Sequence, residues 1–97
     1  MNRAALEAEW LYLTRTRLPA LSRERGWPVH ADHCFQRILL DHACGGRWYD
    51  TISRRPAYAH APDTVLATAT ALARAAIAGD ADMAALNRRS LAWRAKV

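Results

Sequence analysis

The chain lacks the signatures of several large function classes. Glycine occurs four times in 97 residues, and only Gly45 and Gly46 are adjacent. There is no glycine-rich phosphate loop, no GxSxG elbow, no HExxH and no CxxC, which argues against nucleotide-hydrolysing and dinucleotide enzymes. Lysine and phenylalanine occur once each, and valine and isoleucine three times each. So few strand-favouring residues leave little to build a sheet from. No run of 18 apolar residues could cross a bilayer, and the start, MNRAALEAEW, has no signal-peptide core. The expectation is a soluble, cytoplasmic protein with no membrane partner. Two cysteines are too few for a disulfide framework, and the cytosol would keep them reduced.

What is present is alanine, arginine and tryptophan. Alanine fills 21 positions and is the best helix former. Ninety-seven residues make one domain, 1–97, with a single modest core. Its large members are Trp10, Trp27, Trp48, Trp93, Phe35 and the Leu/Ile/Val set, with Trp27 and Trp48 flanking turns and so partly exposed. The net charge of +5 rests on 13 arginines. Such a charge favours an anionic partner through counterion release, although a GC-rich genome also yields an arginine-rich, lysine-poor chain.

Along the chain, Asn2 caps a helix to about Arg17 with Leu6, Trp10, Leu13 and the stem of Arg17 on one face. Pro19 restarts the chain into a short helix over 19–25 that ends at Gly26. Arg15, Arg17, Arg23 and Arg25 crowd this corner. Asp32 caps a central helix over about 33–44, stopped by Gly45 and Gly46. RWYDTISRR reads as a further helix of two turns, and Arg54 to Pro62 as an extended surface loop between prolines. Val65, Leu66, Ala69, Leu72, Ala73, Ala76 and Ile77 mark one face of a long helix from Asp63 to Ala78. Asp80 or Asp82 caps the last helix, with Met83, Leu86 and Trp93 on one side, Leu91 on the flank, and Arg88, Arg89, Arg94 and Lys96 largely outside. The last two helices read as an αα-hairpin. The fold class is therefore all-α, a compact orthogonal bundle of five or six helices around the helix at 33–44.

The central stretch, DHCFQRILLDHACGG, holds both cysteines and two of the four histidines. Phe35, Ile38, Leu39 and His42 share one helix face. Gln36, His33, Arg37 and Asp41 lie opposite or at its edges, with Arg37 and Asp41 as an i, i+4 ion pair. A metal shared by both ends is excluded, because His33 and His42 stand roughly 13 Å apart along the helix axis and Cys34 and Cys44 roughly 15 Å. That leaves only a site built from one end with a loop residue such as His30 or His60. Four side chains are catalytic candidates. Cys34 sits in the first turn, where the helix dipole favours a thiolate, beside His33. His42 reads as a core histidine bonded to a carbonyl, or as a base facing a pocket. Asp32 is a cap first, and a functional carboxylate if Arg54 or Arg55 approaches it.

Arg54, Arg55, Tyr58 and His60 gather cations and an aromatic on one exposed segment suited to phosphate or carboxylate contact. With Arg37 and Asp41 they are the binding candidates. A helix-turn-helix reading of the final hairpin meets an opening, Ala81-Asp82-Met83-Ala84-Ala85, that suits phosphates poorly.

The pattern DHCFQRILLD, then Gly46 and Trp48, then RPAYAH, then LNRRSLAWR resembles a group of small helical bacterial proteins, over roughly Leu18 to Lys96. Some of that group carry the label of GNAT-type N-acetyltransferases. The resemblance implies a shared helical fold and a polar surface around Asp32, His33, Arg37 and Asp41. GNAT enzymes pair a mixed sheet with a glycine-containing coenzyme A loop; here strand signal is scarce and the paired glycines end a helix, so the resemblance supplies no mechanism.

Two functions follow. The leading one is a binding or accessory module that contacts an acidic protein or a nucleic-acid backbone through its arginines, without a cofactor. The alternative is a small enzyme, such as a transferase, using Cys34 or His42 with Asp32, His33 or Asp41. A homodimer packed on exposed tryptophans is a further expectation.

Overall fold

Alanine-rich segments broken by glycine and proline fold here into an all-α bundle. The computed structural model describes residues 2–95, so Lys96 lies outside the described residues. The elements are α1 (Arg3–Tyr12), a π-turn (Leu13–Arg17), α2 (Leu18–Arg25), α3 (Asp32–Cys44), a 3₁₀ turn (Trp48–Asp50), α4 (Ala57–His60), α5 (Asp63–Ala78) and α6 (Met83–Arg94). The radius of gyration, 12.6 Å, matches the ~13 Å of a folded 100-residue domain.

α1, the π-turn and α2 follow one another without an intervening loop, so Pro19 does not restart the chain. The Leu18 N–H bonds to the Leu13 carbonyl five residues back. That wider turn makes room for the ring of Pro19, which has no N–H to give and would meet a carbonyl in a regular helix. The extra residue also advances the buried face. Arg17, expected to lay its stem on the core, is exposed, and Leu18 is fully buried instead.

α3 is central. Ile38, Leu39, Leu40 and Asp41 are consecutive and all buried, which on a helix means enclosure on every side. α3 packs against α5, α6, α2 and the π-turn. It ends where Gly45 takes φ of 72°, so that the Gly46 N–H bonds to the Asp41 carbonyl. A residue with a Cβ adopts that left-handed conformation at a cost. Around α3 the core gathers Trp10, Phe35, Leu66, Ala69, Ala73 and Met83. The expected α5 face is the buried one, through Leu66, Ala69, Ala73 and Ala76, with Thr70 added. Thr70 satisfies its hydroxyl on the Leu66 carbonyl within the helix.

Three arginine contacts tie the first two helices to α5. Arg3 donates to Asp63 at 2.7 Å, Arg74 to Glu9, and Arg25 to the carbonyls of Ala76 and Ile77 at 3.0 and 2.9 Å.

Four further expectations need correction. Asp32 is the first residue of α3 and Ala31 occupies the cap position, because Asp32 turns its Oδ1 onto its neighbour's N–H, His33 N, at 2.8 Å. After Gly46 there is one 3₁₀ turn, not two helical turns. The segment between the prolines is not fully extended: Ala57–His60 forms a single turn, limited because Ala61, preceding Pro62, is held extended at ψ of 140°. Finally, α6 has its extensive contact with α3 and not with α5, so the last two helices do not pair as a hairpin. Asp82 does cap α6, accepting from the N–H groups of Ala84 and Ala85.

Candidate functional site

The polar face of α3 makes two structures at once, a buried network and an open groove. Asp41, fully buried, accepts four hydrogen bonds: from Ser90 Oγ at 2.7 Å, from Arg94 Nε at 2.7 Å and Nη2 at 2.9 Å, and from the Trp48 N–H at 2.9 Å. The pair with Asp41 raises the Arg94 guanidinium further above its ordinary value, against the opposing effect of burial. Arg37 donates to Ser90 Oγ and to Asn87 Oδ1, each at 2.7 Å. The expected Arg37–Asp41 ion pair does not form. Ser90 stands between them, passing its own hydrogen to Asp41 and accepting from Arg37. A buried carboxylate survives in such a place only when its lone pairs are filled, and here they are.

Asp41 therefore cannot touch a partner, which corrects its expected place at a binding surface. It positions both sides of the neighbouring groove: Arg37 through Ser90, and Trp48 through the backbone N–H. The network escapes hydrophobic patterning because α6 turns Asn87, Ser90 and Arg94 inward together with Met83, at helical spacing. A signal was present: Arg37 and Asp41 on one helix match Asn87, Ser90 and Arg94 on another, each set at one-turn intervals.

The groove itself encloses about 230 Å³. One wall is a single face of α3, His33, Gln36, Arg37 and Leu40, at i, i+3, i+4 and i+7. The other wall is Trp48 with Arg55, Pro56, Ala57 and Tyr58. Gln36 is held by Thr14 Oγ1 at 3.0 Å, and the Tyr58 carbonyl by Arg3 Nη2 at 2.8 Å. The Arg55 guanidinium lies 4.8 Å from the Trp48 ring centre, which orients it while its edges stay free for an anion.

The groove thus brings together His33, Arg37, Arg55 and Tyr58 from the sequence candidates. His33 is at the rim, its side chain 81% exposed. Arg54 and His60 are exposed outside the groove lining. Asp32 meets neither Arg54 nor Arg55 but Arg15, with Nε 3.9 Å from Oδ2. Cys34 is half-buried against the core and does not line the groove. His42 Nε2 lies 2.9 Å from the Leu86 carbonyl and its ring meets Trp93 edge-on at 4.9 Å, so it bonds as a core histidine does. Burial pushes the Cys44 thiol up, with Thr51 hydrogen bonding opposing.

Among the described residues, no three His, Cys, Asp or Glu side chains come together as a metal site requires. No helix among them is long and apolar enough to cross a membrane. The positive charge is also partly spent within the fold, since Arg3, Arg25, Arg37, Arg47, Arg74 and Arg94 all donate to acids, amide oxygens, hydroxyls or carbonyls. No family model, curated protein or solved structure matches the chain.

Proposed function

We propose that the chain is a binding or accessory module that docks an acidic protein segment in the groove between α3 and the Trp48–Tyr58 segment. The observation that carries this reading is the Arg55 guanidinium stacked on Trp48 at the groove mouth, with His33 and Tyr58 beside it. At about 230 Å³ the groove falls below the ~300–1,000 Å³ of pockets that enclose small molecules. It suits one inserted side chain of a larger partner. A carboxylate meets the planar guanidinium by two parallel bonds, an arrangement in which stacking on tryptophan removes much of the ordering cost.

A protein partner is favoured over nucleic acid by the same contact. Base binding uses open aromatic faces as stacking platforms, and Arg55 already lies over Trp48. The test is an NMR titration of the protein with a glutamate-rich peptide and with a single-stranded oligonucleotide, at low and then rising salt. The reading expects the peptide to shift Trp48, Arg55 and Tyr58 saturably and to weaken as salt rises. Absence of peptide binding at low ionic strength would sink it, and oligonucleotide binding at the same residues would transfer the contact to a phosphate backbone.

A further inference from the structure

A second cavity, larger than the groove, lies along the π-turn and α2. It encloses about 350 Å³ and is lined by Arg15, Thr16, Pro19, Ala20, Arg23 and His30. Those residues include two guanidiniums, one imidazole and one hydroxyl, and no acid. The sequence marks the crowding of arginines at this corner but not the histidine that joins them across the Gly26–Ala31 connection.

The π-turn shapes the cavity. Arg15 and Thr16 lie within it, and Pro19, Ala20 and Arg23 follow on the next turns. Single π-turns inside α-helices are enriched at functional sites. Here the wider turn admits Pro19, whose ring, with the Ala20 methyl, gives the cavity an apolar side.

The state of His30 follows from hydrogen counting. Ser22 has one hydroxyl hydrogen and gives it to the Val29 carbonyl. Its oxygen also lies 3.0 Å from His30 Nδ1, so Ser22 accepts there and Nδ1 carries the hydrogen. Nε2 is then on the opposite, exposed edge of the ring. Neutral His30 presents a lone pair at that edge, and protonated His30 presents a second donor. Arg15 and Arg23 line the same cavity, and Asp32 lies 3.9 Å beyond Arg15. An anion bound between the arginines offsets their charge.

We propose that this cavity binds a small phosphate monoester. A carboxylate offers two oxygens in a plane, which one guanidinium satisfies. Arg15, Arg23, Thr16 and His30 surround a volume that a tetrahedral phosphoryl group with three terminal oxygens uses more fully. The size lies within the ~300–1,000 Å³ of small-molecule sites, leaving space for an organic portion against Pro19 and Ala20. The Arg15–Asp32 contact, long and exposed, is a weak competitor for Arg15.

The experiment is a ¹⁵N NMR titration of the full chain with glycerol 3-phosphate, inorganic phosphate and acetate at constant ionic strength. The expected result is a saturable shift at Thr16, Arg23 and His30 with glycerol 3-phosphate. The His30 ring resonances should shift over the same concentration range, because the ring lines the cavity. Arg23→Gln, on an exposed position, should weaken binding about tenfold, the loss of one charge-assisted hydrogen bond. Arg88→Gln, removing the same charge from α6, should leave it unchanged. Shifts still linear at about 50 mM, a range where millimolar affinities saturate, would overturn the proposal. So would equal shifts from acetate, equal loss in the two variants, or inorganic phosphate binding as tightly as the ester. His30→Gln is the second variant, expected to weaken the ester severalfold, and an unchanged affinity would overturn the part given to His30.

Discussion

Asp41 is held by Arg94 through both of its carboxylate oxygens, Nε on Oδ2 at 2.7 Å and Nη2 on Oδ1 at 2.9 Å, across the interface of α3 and α6. This contact joins the last helix to the central one together with the contacts of Ser90, Asn87 and His42.

Arg94→Ala should therefore cost about 3 kcal/mol, the scale of stranding one partner of a buried pair. Arg94→Lys keeps the charge but not the two-pronged geometry, and should recover only part of the loss. Urea unfolding measures both. An alanine variant as stable as the parent would mean that Ser90 and the Trp48 N–H satisfy Asp41 by themselves. The alanine variant should also shift the Trp48 backbone amide resonance, because Asp41 accepts from that N–H.

Arg55 is the opposite case, exposed and at the groove lining. Arg55→Ala should leave stability within about 0.5 kcal/mol, while weakening a glutamate-rich peptide severalfold at low salt. The effect should fade at high salt, where the electrostatic part is screened. Equal affinities for parent and variant at low salt would remove Arg55 from the contact.

Cys44 gives a pH signature. Burial raises its thiol above the ordinary value, so the folded state keeps the proton longer than the unfolded chain. The associated stability is complete below the ordinary thiol range, ~8.5, and is lost as pH rises from there through the folded-state value. Cys44→Ala should flatten that alkaline decline in urea midpoints between about pH 8 and 10. Parallel curves for parent and variant would contradict it.

Gly45→Ala isolates a backbone cost. A Cβ at this position meets nothing within 4 Å, so the φ of 72° is the whole penalty. The expected loss is roughly 1–2 kcal/mol, and Gly45→Asn should lose less, since asparagine tolerates that conformation better. An alanine variant without loss would show that α3 can end in another way.

The helices were legible in the sequence wherever apolar residues alone decide burial. Leu66, Ala69, Ala73 and Ala76 are the buried stripe of α5, and Gly45 and Gly79 stop helices as their left-handed conformations allow. Reading failed where polar residues do the packing. Asn87, Ser90 and Arg94 look like a solvated flank of α6 until Arg37 and Asp41, some fifty positions earlier, are set against them. Of the candidate site, His33, Arg37, Arg55 and Tyr58 were found by residue type, and their convergence was not. It depends on Arg3 and Asp41 drawing a distant loop and turn against α3, through bonds that no local pattern encodes.

The three arginine contacts between the first helices and α5 act as a ruler. Each exposed ion pair is worth little, ~0.2–1 kcal/mol or less. Yet Arg3 marks the beginning of α5 at Asp63, Arg74 lies further along, and Arg25 reads its end at Ala76 and Ile77. Sliding the first helix by one turn would break all three together. Alanine methyls, nearly alike from one turn to the next, do not choose an alignment; the arginines do.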